Sequence, residues 1–269
     1  MNRFLSLFVI LAPLFGATVD LRDAVVVVRP GALPNAEKTA ATVLVEEIEK
    51  RTGVRLNTST KWPEDKPAIA ITSTGSSVTK PEGYRLVVDQ SKAQVAVRIM
   101  GADPRGALFG VGNFLRVADF ARGKVSINSP LDIATAPKDP IRGHQLGYRT
   151  QANSYDAWSP QQFEQYIREL TFFGANSIEG IPFQDERPTP VMKFSRREMN
   201  RAIGEICDRY GLDYWVWVPA DFDLNDNAKR ANLLGRSDEF FKDTPELTGI
   251  FFPGGDPGKN SPELVLPFL

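Results

Sequence analysis

The sequence predicts an α/β protein, with a small α+β unit at residues 18–137 and the first half of a (β/α)8 TIM barrel at residues 138–269. Three observations carry this reading. Residues 140–183 read as strand, loop, helix, strand, a spacing that implies parallel strands joined by a helical crossover. The βα pattern then recurs to give about four units in one sense. Upstream, the order differs, because two adjacent strand-like runs, GYRLVVD and AQVAVRI, form a hairpin signal.

In chain order, Arg3 precedes the apolar run FLSLFVILAPLFGA, too short for a bilayer span and laid out like a secretory signal. Residues 1–17 are expected to be that signal, with the mature protein secreted or periplasmic. A first buried strand or helix is the alternative. No cysteine follows the run to take a lipid anchor, and no other stretch is long enough for a transmembrane helix, so no membrane association is expected after cleavage. DAVVVVRP reads as a buried strand. A helix follows from Asn35 to Arg51, with Ala36, Ala40, Val43, Leu44 and Ile48 on one face and Gly53 as its stop. Its charges Glu46, Glu47, Glu49, Lys50 and Arg51 are expected to be a solvated face. VRLNTS and PAIAITS are strands, and the hairpin comes next. Asp103-Pro104 opens a second helix through Ala118, in which Gly106, Gly110 and Gly112 permit close packing. Gly101 to Gly106 has P-loop glycine spacing but lacks the Lys-Ser/Thr that holds phosphate. Residues 124–141, with three prolines, read as a linker.

RGHQLGY opens the second unit as a strand. Ser159-Pro160-Gln161-Gln162 has the cap, first-turn proline and third-position glutamine of a helix start, and Phe163, Tyr166, Ile167, Leu170 and Phe173 make one apolar stripe up to Gly174. SIEGIPF is the next strand. Ser195-Arg196-Arg197-Glu198 is a capping box for a helix ending at Gly211. DYWVWVPA, a less regular helix within 225–247, GIFFPGGDPG and a helix start at Ser261-Pro262 complete the order. A whole barrel takes about 250 residues and roughly 130 are present, so the chain is expected to be a fragment, to pair with another half, or to form an open sheet.

Composition narrows the function. Net charge is −1 with both signs interspersed, which gives no basic footprint for nucleic acid. One cysteine (Cys207) and one histidine (His144) exclude an internal disulfide and a Cys/His zinc cluster within the chain. Cys207 lies on an apolar helical face and is expected to be packed rather than reactive.

Working groups of parallel α/β folds collect at the carboxyl ends of strands. Strand one offers Arg142, His144, Gln145, Tyr148 and Arg149; strand two ends in Gln184-Asp185-Glu186-Arg187. Strand three ends in Trp217 through Asp221 and Asp223, and strand four in Gly254-Gly255-Asp256-Pro257. Carboxylates among tryptophans suit sugar chemistry, because aromatic faces stack on pyranose C–H surfaces while carboxylates bind hydroxyls or move protons. Each has a plainer reading: a solvated loop for Asp185-Glu186, a helix cap for Asp221 and Asp223, a turn aspartate for Asp256, a core histidine for His144.

Two segments resemble a known family. EGYRLVVDQSKAQVAVRIMGADPRGALFGVGNFLRV is similar to the hairpin and helix of the accessory domain that precedes the barrel in exported glycoside hydrolases, the family 20 β-N-acetylhexosaminidases and the α-glucuronidases. IRGHQLGYR resembles the first barrel strand. The resemblance implies hydrolysis of a glycosidic bond in an oligo- or polysaccharide without metal or organic cofactor, and hydroxyl binding by Arg142. Hexosaminidases have an aspartate where Gly147 stands, and an adjacent Asp-Glu pair after strand four; here that pair, Asp185-Glu186, follows strand two. The resulting expectation is a glycoside hydrolase with Asp256 as catalytic carboxylate and Arg142, His144, Asp185, Glu186, Trp217 and Asp221 binding substrate, inactive as this half barrel alone. The alternatives are a non-catalytic secreted carbohydrate-binding protein, or a barrel enzyme of unrelated chemistry.

Overall fold

The computed structural model describes residues 17–89, 95–146, 154–180, 183, 189–254 and 258–269. All but the last residue of the expected export signal lies outside them. The elements run β1 (Ala17–Asp20), β2 (Val25–Val28), α1 (Asn35–Thr52), β3 (Asn57–Ser59), β4 (Ala68–Thr72), β5 (Tyr84–Asp89), β6 (Ala96–Gly101), α2 (Pro104–Val117), β7 (Asp119–Ala121), β8 (Lys124–Ser129) and β9 (Leu131–Thr135). They continue with β10 (Gly143–Gln145), α3 (Pro160–Phe172), β11 (Ser177–Gly180), α4 (Arg196–Tyr210), β12 (Asp213–Trp217), α5 (Asn227–Asp243), β13 (Gly249–Phe251) and α6 (Pro262–Val265).

Three sheets result. A six-stranded sheet has the order β3-β2-β4-β6-β5-β9, parallel from β3 to β6 and antiparallel at β5, where the hairpin turns back. A small antiparallel sheet has the order β1-β8-β7. The third, β10-β11-β12-β13, is parallel throughout. Local chemistry sets the helix ends. Gly53 and Gly211 close α1 and α4 in the left-handed region that a residue without Cβ enters freely. Capping boxes open α3 (Ser159 with Gln162) and α4 (Ser195 with Glu198), each satisfying two amide donors at the helix start. Asp103 caps α2 by accepting from the Gly106 amide at 2.8 Å.

The layers follow from the apolar stripes. Helices α1 and α2 pack side by side over the six-stranded sheet, α3 lies against α2, and α4 lies against α1. Behind α3 and α4 stands the parallel sheet, and one buried cluster runs through all four layers, from Leu44 and Ile99 to Phe163 and Tyr214. The α2 glycines permit this approach. A Cβ on Gly112 would stand 2.5 Å from the Phe172 Cα of α3, and one on Gly106 would stand 2.2 Å from the Gly83 carbonyl oxygen. Cys207 is 1% exposed, and burial pushes its thiol pKa upward, which suits packing and not nucleophilic work.

Two expectations need correction, and one strand has no counterpart among the expected elements. Most of 124–141 is not a linker: Lys124–Ser129 and Leu131–Thr135 are strands of two different sheets, with Pro130 between them. Ala17–Asp20 is also a strand, paired with β8. The charged face of α1 is solvated only in part: Lys50 and Arg51 are exposed and Glu46 and Glu49 half-buried, but Glu47 is buried. Glu47 is 3% exposed, and its carboxylate takes Arg51 of its own helix at 3.2 Å and Arg168, which reaches across from α3, at 3.4 Å. Arg168 also holds Glu46 at 2.7 Å and the Tyr210 hydroxyl at 2.8 Å.

Candidate functional site

In the parallel sheet all carboxyl ends point one way, which puts Gln145, Gly180, Trp217 and Phe251 at one rim. The loops leaving that rim supplied most of the expected site. Asp185, Glu186 and Asp256 lie outside the described residues, as do Tyr148 and Arg149.

Register sorts the rest into two faces, since side chains alternate along a strand and in-register neighbours point the same way. His144 is in line with Ile178 and Tyr214. Those two are fully buried on the side of α3 and α4, where the Tyr214 hydroxyl donates to Asn200 Oδ1 at 2.6 Å. His144 points the same way, with Nε2 at 3.2 Å from the Tyr166 hydroxyl of α3 and the two rings edge to face. It thus stands on the helix-covered face, behind the sheet as seen from Trp217.

Arg142 is at the other end altogether. It precedes β10, at the amino edge of the sheet, and its guanidinium stands over the Phe109 ring. It donates to the carbonyls of Gly174 and Asp139, each at 2.8 Å, and pairs with the Glu82 carboxylate from the turn before β5. Glu82 also accepts from Arg105 at 3.1 Å and Asn176 at 3.0 Å, and Arg105 reaches Asp213 at 2.6 Å. Burial pushes the Glu82 carboxyl pKa up, but the hydrogen bonds from Asn176, Arg142 and Arg105 together hold it below the usual glutamate value. This seam ties the hairpin sheet to the amino ends of β10, β11 and β12, and Arg142 belongs to it rather than to the rim.

Trp217 and Asp221 are at the rim. Trp217 closes β12 on the face away from the helices, paired in register with Phe251. Asp221 follows in the exit segment and lines a cleft of about 420 Å³ with Pro219, Phe222, Lys229, Asn232 and Arg236 of α5. Its neighbours Asp223 and Asp226 have structural duties. Asp223 accepts from the Asn225 amide at 2.9 Å, and Asp226 caps α5 by accepting from the amides of Ala228 and Lys229. Across the rim, Asp156 and Arg196 form a buried ion pair at 2.9 Å that fixes the 3-10 turn after β10 to the start of α4.

The open face holds one carboxyl that sequence reasoning passed over. Glu179 stands in line with Gln145 on one side and Trp215 on the other. Gln145 Nε2 donates to its Oε1 at 3.1 Å, and burial raises the Glu179 pKa, with the Gln145 hydrogen bond acting the other way. Trp215 lies flat over Gly249, where a Cβ would meet the indole at 2.8 Å, and its Nε1 is buried without a hydrogen-bond partner among the described residues. The alternation of S-I-E-G was a usable signal: it sends Ile178 to one face and a lone acid to the other. Among the described residues no group of three or more His, Cys, Asp or Glu side chains is placed to hold a metal ion, and no helix is long and apolar enough to cross a membrane.

With this geometry in place, comparison with known proteins is specific. Residues 13–128 match the family model described as glycosyl hydrolase family 20, domain 2. No curated protein sequence matches the chain. Among solved structures, a Flavobacterium johnsoniae chitobiase is similar with a TM-score of 0.60 and 15% identity, over 88% of this chain and 42% of that one. A family 20 exo-β-N-acetylglucosaminidase from Vibrio harveyi gives a TM-score of 0.54 at 14% identity, over 76% of this chain and 34% of its own. A GH138 enzyme targeting pectin rhamnogalacturonan II gives 0.58 at 14% identity, over 86% and 38%. At these identities the likeness shows the fold, and the chain spans less than half the length of each of these enzymes. Over residues 13–128 the chain thus carries a family 20-like glycoside hydrolase accessory domain, within a mixed α/β fold of several sheets.

Proposed function

We propose that the chain is the accessory domain and first four βα units of an exported glycoside hydrolase, acting on an oligo- or polysaccharide at the carboxyl rim of its parallel sheet. The observation that carries this is the pairing of a family 20-like domain with a parallel βα sheet that ends in Trp217 on β12, with Asp221 lining a cleft in the segment that follows. Aromatic faces and carboxylates at one rim are what pyranose recognition requires. The sugar is not fixed by the fold, since the similar enzymes include some that act on N-acetylglucosamine linkages and one that targets pectin. Asp256 serves as the catalytic carboxylate, with Asp185 and Glu186 as further substrate contacts from the second loop. Residues 1–17 direct export.

The chain by itself binds sugar without cleaving it. Glycoside hydrolysis needs two carboxyl groups held at opposed positions on the bond, or one acting with a substrate acetamido group. The edge of β13, where Ile250 is 38% and Phe251 49% exposed, is where further strands would add to close the barrel. The test is to incubate the chain with aryl β-N-acetylglucosaminide and aryl α-glucuronide while following tryptophan fluorescence against N-acetylglucosamine and glucuronic acid. Binding without release of the aryl group is expected. Turnover would refute the inactivity, and silence toward every sugar would refute the carbohydrate reading. Binding that persists without turnover in a form extended by further βα units would favour a non-catalytic carbohydrate-binding protein.

A further inference from the structure

We infer that Glu179, set between Gln145 and Trp215 on the open face of the parallel sheet, is a substrate-binding carboxyl that accepts hydrogen bonds from pyranose hydroxyls. The inference rests on the carbohydrate reading above and assigns the centre of that site. Three features support it.

The first is the contrast with the buried acids elsewhere. Glu37 takes Arg29 at 2.8 Å, Glu47 takes Arg51 and Arg168, and Asp156 takes Arg196. Such pairing is what a buried carboxylate needs to stay ionised cheaply. Glu179 has no cation among the described residues, and Gln145 is its one hydrogen-bond partner there. Its Oε2 is therefore open to a ligand donor. A half-buried acid without a countercharge costs stability, and such costs concentrate at binding and catalytic positions.

The second is the neighbourhood. Gln145, Glu179, Trp215 and Gly249 form one row across four strands, and Trp217 and Phe251 form the next row toward the rim. The row offers an acceptor, an amide and an indole face within one side-chain spacing of each other, and the second tryptophan lies one pleat nearer the exit. Gly249 lets the Trp215 indole lie flat across β13. A pyranose has this pattern of needs: equatorial hydroxyls at its edge and a C–H face to stack.

The third is position. Glu179 is the penultimate residue of β11, so its carboxyl is near the carboxyl end, where parallel sheets bind ligands.

The test uses the 269-residue chain with N-acetylglucosamine and glucuronic acid as probes, read by tryptophan fluorescence and by thermal melting. Glu179→Gln keeps the shape and the Gln145 contact but removes the charge. It is expected to weaken the sugar response about ten-fold or more, the loss of charge-assisted hydrogen bonds, while the melting temperature stays level or rises. A structural role would instead lower the melting temperature and leave affinity unchanged in the folded fraction. Glu179→Ala, a second removal, is expected to weaken binding as strongly. Wild-type affinity in both variants overturns the assignment and leaves the carbohydrate reading standing. No response from the wild-type chain overturns both.

Discussion

Glu82 holds the amino edge of the parallel sheet to the hairpin sheet, and Glu82→Gln measures how strongly. The side chain is 12% exposed, and the two guanidiniums it receives are 26% (Arg105) and 22% (Arg142) exposed. Removing one partner of a buried pair costs about 3–5 kcal/mol, because the remaining charge is stranded. Here the cost is less, since Arg105 keeps Asp213 and the Gly211 carbonyl, and Arg142 keeps the carbonyls of Gly174 and Asp139. The expected loss is about 2 kcal/mol, or about 1 M in the urea midpoint at a slope of about 2 kcal/mol/M. A double-mutant cycle with Arg142→Met should return a coupling of about 1–2 kcal/mol. Trp158, Trp215 and Trp217 all lie beyond Arg142, so fluorescence reports chiefly on the parallel-sheet half. Weakening the seam should shift that signal to lower urea than the far-ultraviolet circular dichroism. The sign with pH is fixed as well. The folded pKa of Glu82 lies below the unfolded value of about 4.3, so its contribution is full above that value. It is lost as pH falls through the folded pKa, and the gap between wild type and Glu82→Gln should close there. A coupling below about 0.5 kcal/mol, or a gap that persists in acid, would refute the reasoning.

Gly112→Ala is expected to destabilise by about 1–3 kcal/mol in thermal unfolding, because the obstacle is the Phe172 backbone of α3, which has no rotamer to yield. Gly235→Ala, where a Cβ meets nothing within 4 Å, should be neutral or stabilising and serves as the control. Arg196→Met strands the Asp156 carboxylate and should cost about 3–5 kcal/mol, with Asp156→Leu added in the same chain restoring a large part of it; denaturant midpoints of the single and double variants decide this.

What the sequence determined by itself was local: helix starts, helix ends and strand periodicity. Ser159-Gln162 and Ser195-Glu198 announced two helix starts, Gly53 and Gly211 two helix ends, and the spacing of four short apolar runs announced parallel strands. These signals are legible because caps, turns and periodicity are set by residues within a few positions of one another. Strand β9 escaped because its partner β5 lies far back in the sequence, and three prolines nearby argued for a linker. Strand β8 was missed although its hairpin partner β7 directly precedes it, because β7 is only three residues long and its other partner, β1, is over a hundred residues away. Only the tertiary structure decided what each face meets. The α1 acids read as a solvated face, but Arg168, more than a hundred residues on, takes the buried Glu47 carboxylate and the half-exposed Glu46 into one ion-pair group. Arg142 and Glu179 make the same point from opposite directions. Arg142 stood in a strand-like run that resembled a sugar-binding motif, yet it sits one residue before the strand and pairs with Glu82 at the amino edge. Glu179 drew no notice inside a short apolar strand, yet register sets its carboxyl between an amide and an indole on the open face. A strand's alternation tells which residues share a side, and only the packing of helices against one side tells which of the two faces a ligand can reach.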